Sequence, residues 1–219
     1  MSIASKAAVA AAAGITAGAA SAGTLYTDVA AFTAASNIVE LNDFSGVADG
    51  FYSSLTFEPP AYQTFQYEIV ATNGLQVGPS LNPFVPLLPS GAISTQAADD
   101  ALVVNFTSNN VYAVGGEFWG TGLLGQPVWA NITINLSDGT SVTFETFGPE
   151  FYGFTSDVVI TSMTIEAERV VLPGHLEAWA TMDNLYVGTL TVIPLPPAAW
   201  AGLGMLGLLG GARAFRRRG

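Results

Sequence analysis

The stretch Val128-Trp129-Ala130-Asn131-Ile132-Thr133-Ile134-Asn135-Leu136-Ser137-Asp138-Gly139-Thr140-Ser141-Val142-Thr143-Phe144-Glu145 decides the fold. Val128, Ala130, Ile132, Ile134 and Leu136 occupy alternate positions, with Asn131, Thr133, Asn135 and Ser137 following from the opposite side. A period of two belongs to a strand with one buried and one wet face. After Asp138-Gly139, Val142 and Phe144 resume the apolar face, and Ser141, Thr143 and Glu145 fall opposite. Directly opposed residues share a face. A two-residue Asp-Gly loop would set Leu136 against Ser141 and put the faces out of step. The pattern requires an odd loop. Asp138-Gly139-Thr140, with Gly139 in a left-handed bulge position and Leu136 opposing Val142, is the expected solution.

The same alternation extends outward. Leu102, Val104 and Phe106 alternate with Val103 and Asn105. Further strands are expected over Ile38–Phe44, Ser54–Phe57, Phe65–Val70, Val111–Trp119, Val158–Ala167 and Leu176–Tyr186. Only Asp28–Ala35 reads as helix within the body, with Asp28 as its cap. Pro79 to Pro89 holds four prolines and reads as a surface loop. Asn105, Asn131 and Asn135 sit in Asn-x-Ser/Thr triplets and read as outward polar positions. Many short strands and almost no helix predict an all-β fold, a two-sheet antiparallel sandwich of jelly-roll type.

Both ends of the 219-residue chain differ from its middle. Lys6 precedes an alanine-rich run from Ala7 to Ala20, and Ala20-Ser21-Ala22 is a small-x-small site. This is a secretory signal peptide over residues 1–22, cut so that the mature chain starts at Gly23. The exported domain then spans 23–191. Residues 192–219 hold Ile193-Pro194-Leu195-Pro196-Pro197-Ala198-Ala199-Trp200, an uncharged run to Ala212, and Arg213-Ala214-Phe215-Arg216-Arg217-Arg218-Gly219. The prolines make an extended stem. The run from Ala198 to Ala212 is shorter than the ~20 residues of a comfortable span, and snorkelling arginines lengthen it. Trp200 takes an interfacial position, and the arginine cluster keeps that end in the cytoplasm and the body outside.

All seventeen carboxylates lie from Asp28 to Asp183, where Arg169 is the only basic residue, a net of −16. Such a charge excludes a nucleic-acid binder and disfavours anionic membrane surfaces. It suits solubility or divalent-cation capture. The chain has no cysteine, so no disulfide staples this exported body.

The tail resembles the PEP-CTERM sorting signals of exopolysaccharide-producing Gram-negative bacteria, in the variant reading Val-Pro-Leu-Pro-Ala followed by Trp. Ile193 replaces Val, Pro197 precedes the first Ala, and Leu195 stands where the main class has Glu. Pro194, Leu195, Pro196, Trp200, Arg216, Arg217 and Arg218 carry the likeness. It implies an exosortase as partner, after the secretory translocon, and cutting near the prolines. An uncut anchor is the simpler alternative. In the body, Val39-Glu40-Leu41-Asn42-Asp43-Phe44, Val114-Gly115-Gly116-Glu117-Phe118, Phe151-Tyr152-Gly153-Phe154 and Met182-Asp183-Asn184-Leu185-Tyr186-Val187-Gly188 follow in order. That succession resembles exported jelly-roll domains carried by PEP-CTERM proteins. Jelly-roll binding modules often hold a structural calcium between first and last strands. Here Glu40, Asp43 and Asp183, helped by Asn42 and Asn184, are the candidate ligands. The simpler alternative is that Asp43 and Asp183 flank strand ends and cap turns.

Catalytic constellations are sparse. His175 is the single histidine and follows Pro173-Gly174 in a loop. Without cysteine there is no Cys-His pair, and no multi-histidine zinc site is available. No Gly-x-Ser-x-Gly elbow and no lysine-bearing phosphate loop occur. Glu166 and Glu168 project to one side of a strand and read as a solvated face, or as a carboxylate pair for glycoside hydrolysis. The leading expectation is a non-enzymatic protein of the cell surface or polysaccharide matrix. The alternatives are a carbohydrate-binding or adhesive module and a glycoside hydrolase. An exposed platform among Tyr62, Phe65, Tyr67, Trp119 and Trp129 would favour sugar stacking.

Overall fold

A computed structural model describes residues 23–58, 64–78, 91–170 and 177–190. The elements are β1 (Thr24–Tyr26), α1 (Val29–Ala35), β2 (Ser36–Asn42), β3 (Gly50–Phe57), β4 (Tyr67–Val77), β5 (Ile93–Thr95) and β6 (Leu102–Phe106). They continue with β7 (Ala113–Thr121), β8 (Pro127–Val128), β9 (Ala130–Leu136), β10 (Ser141–Thr146), β11 (Glu150–Thr155), β12 (Ser162–Arg169) and β13 (Trp179–Leu190). The expected signal and membrane helices, the Pro79–Pro89 loop, His175 and Tyr62 lie outside the described residues. Among the described residues no helix is long and apolar enough to cross a membrane.

Among the described residues every strand pairs antiparallel, and all thirteen join one curled sheet. Two separate sheets were expected. The join is β5, only three residues long. Its Ser94 and Ile93 pair with Thr181 and Met182 of β13, while its other edge pairs with Leu75 to Val77 of β4. One wing runs β1-β11-β7-β13 with β2 beside β13, and the other runs β4-β6-β12-β9-β10 with β3 beside β4. β13 reaches both because its twelve residues exceed what β5 covers, and its C-terminal half pairs with β2. A three-residue strand has no measurable period, so alternation alone cannot reveal such a splice.

The core fills the inside of the curl. Leu102, Val104, Ile132, Ile134, Met163 and Ile165 enter from one wing, and Val114, Phe118, Phe154, Met182, Leu185 and Val187 from the other. The alternation read from sequence holds residue for residue in β6 and β9, where Leu102, Val104, Phe106, Ile132, Ile134 and Leu136 are buried. β12 starts later than expected. The start of the strand expected over Val158–Ala167 bends instead, with Val158 N–H on Ser156 Oγ and Ile160 N–H on Val111 O.

The β9–β10 loop is odd, as required, but it is Ser137-Asp138-Gly139. Ile134 opposes Val142 and Ile132 opposes Phe144, so Leu136 faces Thr140 and not Val142. A shift of two residues preserves the faces, which is why side-chain pattern could not choose between the two registers. The turn chose. Gly139 N–H donates to Leu136 O at 3.0 Å, Leu136 N–H donates to Thr140 O at 2.8 Å, and Gly139 has φ +92°.

α1 forms as expected. Asp28 Oδ1 accepts from Ala31 N–H at 2.8 Å, capping its first turn. Phe32 is fully buried against Tyr26, Phe151 and Tyr186, fixing the helix to the outer face of β11.

Candidate functional site

The outer face of β9, β10 and β12 is built in rows by the sheet register. Ser141, Asn135 and Thr164 form one row; Thr143, Thr133 and Glu166 the next; Glu145, Asn131 and Glu168 the third. Hydroxyls and amides link the strands. Ser141 Oγ donates to Asn135 Oδ1 at 2.7 Å, and the Thr133 and Thr143 hydroxyls meet at 2.9 Å. The alternation that buries Ile132 and Ile134 holds these polar residues outward.

At the end of this face the chemistry changes. Trp129 and Phe147 continue the same outward positions just beyond the last paired residues, Ala130 and Thr146. Val170 closes that row, its N–H donating to Trp129 O at 3.1 Å. Both aromatic residues are 53% exposed. Their rings lie 5.4 Å apart at 39°, a shallow V open to solvent. The turn after β10 fixes Phe147, since Thr146 Oγ donates to Gly148 O at 2.6 Å and accepts from Gly148 N–H at 3.2 Å. Around the rings a groove of about 730 Å³ also takes in Gln126, Glu145 and Arg169. Arg169 is the one lysine or arginine between residues 23 and 191. Apolar stacking surface, a carboxylate acceptor and a guanidinium donor thus converge on one open groove.

The other aromatic candidates do not join this platform. Phe65, Tyr67 and Trp119 are buried at 1%, 6% and 1% exposure. Trp119 packs with Ala92 on the side of β7 away from the main core. Tyr67 accepts from Asn42 Nδ2 at 2.7 Å, and burial raises its hydroxyl pKa to about 12, with the Asn42 bond opposing and Glu40 adding to the rise. Phe147 is the residue the sequence reading passed over. Its signal was present: an aromatic two positions after Glu145, on a face otherwise of Ser, Thr and Glu. Glu166 and Glu168 stand exposed in successive rows, as a solvated face requires.

The proposed calcium ligands meet only in part. β2 and β13 are neighbours, with Leu185 opposite Asn42 and Val187 opposite Glu40, so the first long strand does lie against the last. Glu40, however, accepts from Thr64 N–H at 2.6 Å. Asp43 Oδ1 accepts from Ser45 N–H and Oγ, which lower its pKa. Asp183 sits in the irregular stretch of β13, where Asn184 has φ +51° and its N–H donates to Asp183 Oδ1 at 2.7 Å. Burial raises the Asp183 carboxyl pKa; the Asn184 bond opposes, and the charges of Glu117 and Asp43 add to the rise. Glu117, opposite Asp183 on β7, is a neighbour the sequence did not single out, and it accepts from Asn184 Nδ2 at 3.1 Å. Among the described residues no three acidic side chains are gathered in a group able to hold a metal ion.

No protein-family model matches the chain, and no curated protein or solved structure matches it significantly.

Proposed function

We propose that this chain is an exported, non-enzymatic protein of the cell surface or extracellular matrix that holds polysaccharide in the Trp129–Phe147 groove. The observation behind the reading is a pair of large aromatic rings left in water at the end of an ordered polar face. One face of a pyranose ring is apolar, and its polarised C–H groups suit the negative face of an aromatic ring. Sugar hydroxyls then need acceptors and donors beside the stack, as Glu145, Gln126 and Arg169 supply. A general acid for glycoside hydrolysis works in an enclosed site that raises its pKa. The exposure of Glu145, Glu166 and Glu168 favours binding over hydrolysis.

The termini complete the reading. The secretory signal at residues 1–22 sends the chain through the translocon. The PEP-CTERM-like segment at 192–219 anchors it in the inner membrane until an exosortase cuts it and releases it to the surface and its exopolysaccharide. The curled sheet is then a jelly-roll-like sandwich whose two layers are the wings joined by β5.

Affinity electrophoresis through gels containing neutral or acidic polysaccharides tests the binding. A retarded wild type is expected. Trp129→Ala should lose the stacking surface and weaken binding about two- to tenfold, since one such stack contributes about 0.5–1.5 kcal/mol. Equal mobility of wild type and variant in every gel sinks the glycan reading.

A further inference from the structure

The β9–β10 turn meets the start of the exported domain. Gly23 N–H donates to Thr140 Oγ at 2.9 Å, across 117 positions of sequence. A Cβ built on Gly23 would lie 2.9 Å from that hydroxyl, 2.9 Å from Thr155 O and 3.4 Å from Asp138 Oδ2. No side chain fits there, so glycine is the residue this corner admits. Asp138 uses Oδ1 to accept from Thr140 N–H at 2.8 Å. Its Oδ2 is buried and has no hydrogen-bond partner among the described residues. A buried carboxylate oxygen without a donor is costly and uncommon. N and Cβ of one residue are separated by about 2.5 Å, so the Gly23 nitrogen lies within about 6 Å of that oxygen.

In the uncut chain this nitrogen is a neutral amide with one hydrogen, already given to Thr140. We propose that removal of the signal peptide creates the missing partner: the new α-ammonium of Gly23 pairs with Asp138 Oδ2 and locks β1 to the β9–β10 turn. The inference rests on the export reading, which places the cut after Ala22. Hydrolysis by a signal peptidase adds one water across the Ala22–Gly23 bond. Ala22 keeps the new carboxylate and Gly23 the new ammonium. That ammonium has three donors where the amide had one, so one can stay on Thr140 while a small shift of the freed end brings another to Asp138. A charge-assisted bond in a half-buried corner is among the stronger kind. Edge strand β1, only three residues long, gains a fixed end from it. The mature domain is therefore more stable than the precursor, and the gain comes from the cleavage itself.

Four purified chains decide it: residues 23–219 and residues 20–219, each as wild type and as Asp138→Asn, melted in the same detergent. Asparagine keeps the Oδ1 acceptor for Thr140, so the turn is retained. The chain starting at Gly23 should melt about 4 °C or more above the chain retaining Ala20-Ser21-Ala22. Asp138→Asn should erase that difference while scarcely changing the longer chain. Equal melting of the two wild types, or an equal loss from Asp138→Asn in both lengths, overturns the pairing. N-terminal sequencing of the exported protein separates the two ideas. A start other than Gly23 defeats the export reading, whereas the melting series judges the contact itself.

Discussion

At the scale of single residues, two glycines show two different reasons for being glycine. Gly139 has φ +92° with open space where a Cβ would go. Gly153 would place a Cβ 2.5 Å from the Phe32 ring. Gly139→Ala therefore meets only the backbone penalty of the left-handed region, about 1–2 kcal/mol. Gly153→Ala must push Phe32 and with it α1 from β11, an overpacking cost of about 1–3 kcal/mol. Urea titration should show both losses. The distinguishing outcome is a second variant: Phe32→Leu in the Gly153→Ala background should recover part of the loss, and in the Gly139→Ala background should only add to it.

At the scale of elements, β13 organises the fold and carries its electrostatic strain. Its Thr181 lies in a buried hydroxyl cluster with Ser94 of β5 and Thr121 of β7, at 2.9 and 2.8 Å. Three satisfied hydroxyls thus hold the splice between the wings. Two residues on, Asp183 has a raised carboxyl pKa through burial and, in smaller part, through Glu117 and Asp43. The folded chain keeps this proton to higher pH than the unfolded chain, whose carboxyl titrates near ~3.9. Stability from this group is therefore present below that value and lost as pH rises through the folded pKa. Asp183→Asn, which retains the Oδ1 acceptor for Asn184, should raise the melting temperature at pH 7. The advantage should shrink as the buffer is taken below about pH 4. Asp43 runs the other way: its lowered pKa gives stability present above the unfolded value and lost as pH falls through the folded one. The same variant tests calcium. An ion shared by Asp43 and Asp183 must raise the wild-type melting temperature in excess Ca²⁺ over chelator, and must do so far less in Asp183→Asn.

At the scale of the whole molecule, charge is divided along the chain. Residues 23–191 hold seventeen carboxylates and one arginine, while the last seven residues hold four arginines. In the proposed export reading it is the arginine cluster, not the acidity of the body, that would hold the C-terminal end in the cytoplasm. Replacing Pro194 and Pro196 together with Ala removes the prolines of the proposed sorting motif. The variant is expected to stay uncut in the inner membrane, with the intact mass of residues 23–219. A variant that reaches the outer surface or medium as efficiently as wild type would leave the tail a plain anchor.

In β6 and β9 the sequence by itself determined which residues face inward, because alternation of period two is written residue by residue and survives any shift of two; β7, buried on both faces, shows no such alternation. It determined the cap of α1 at Asp28 and an odd loop around Gly139 for the same local reason. Trp129 was legible as an outward aromatic, since it shares the parity of Asn131 and Thr133. Only the tertiary structure decided the rest. Register within a given parity depends on the turn, so Ile134 opposite Val142 had to be seen. The splice through β5 depends on three residues, too few to show a period. The pairing of Trp129 with Phe147 follows from that register, and the meeting of Gly23 with Asp138 from the curl of the whole sheet. Local pattern fixes faces; long-range pairing alone fixes which faces meet.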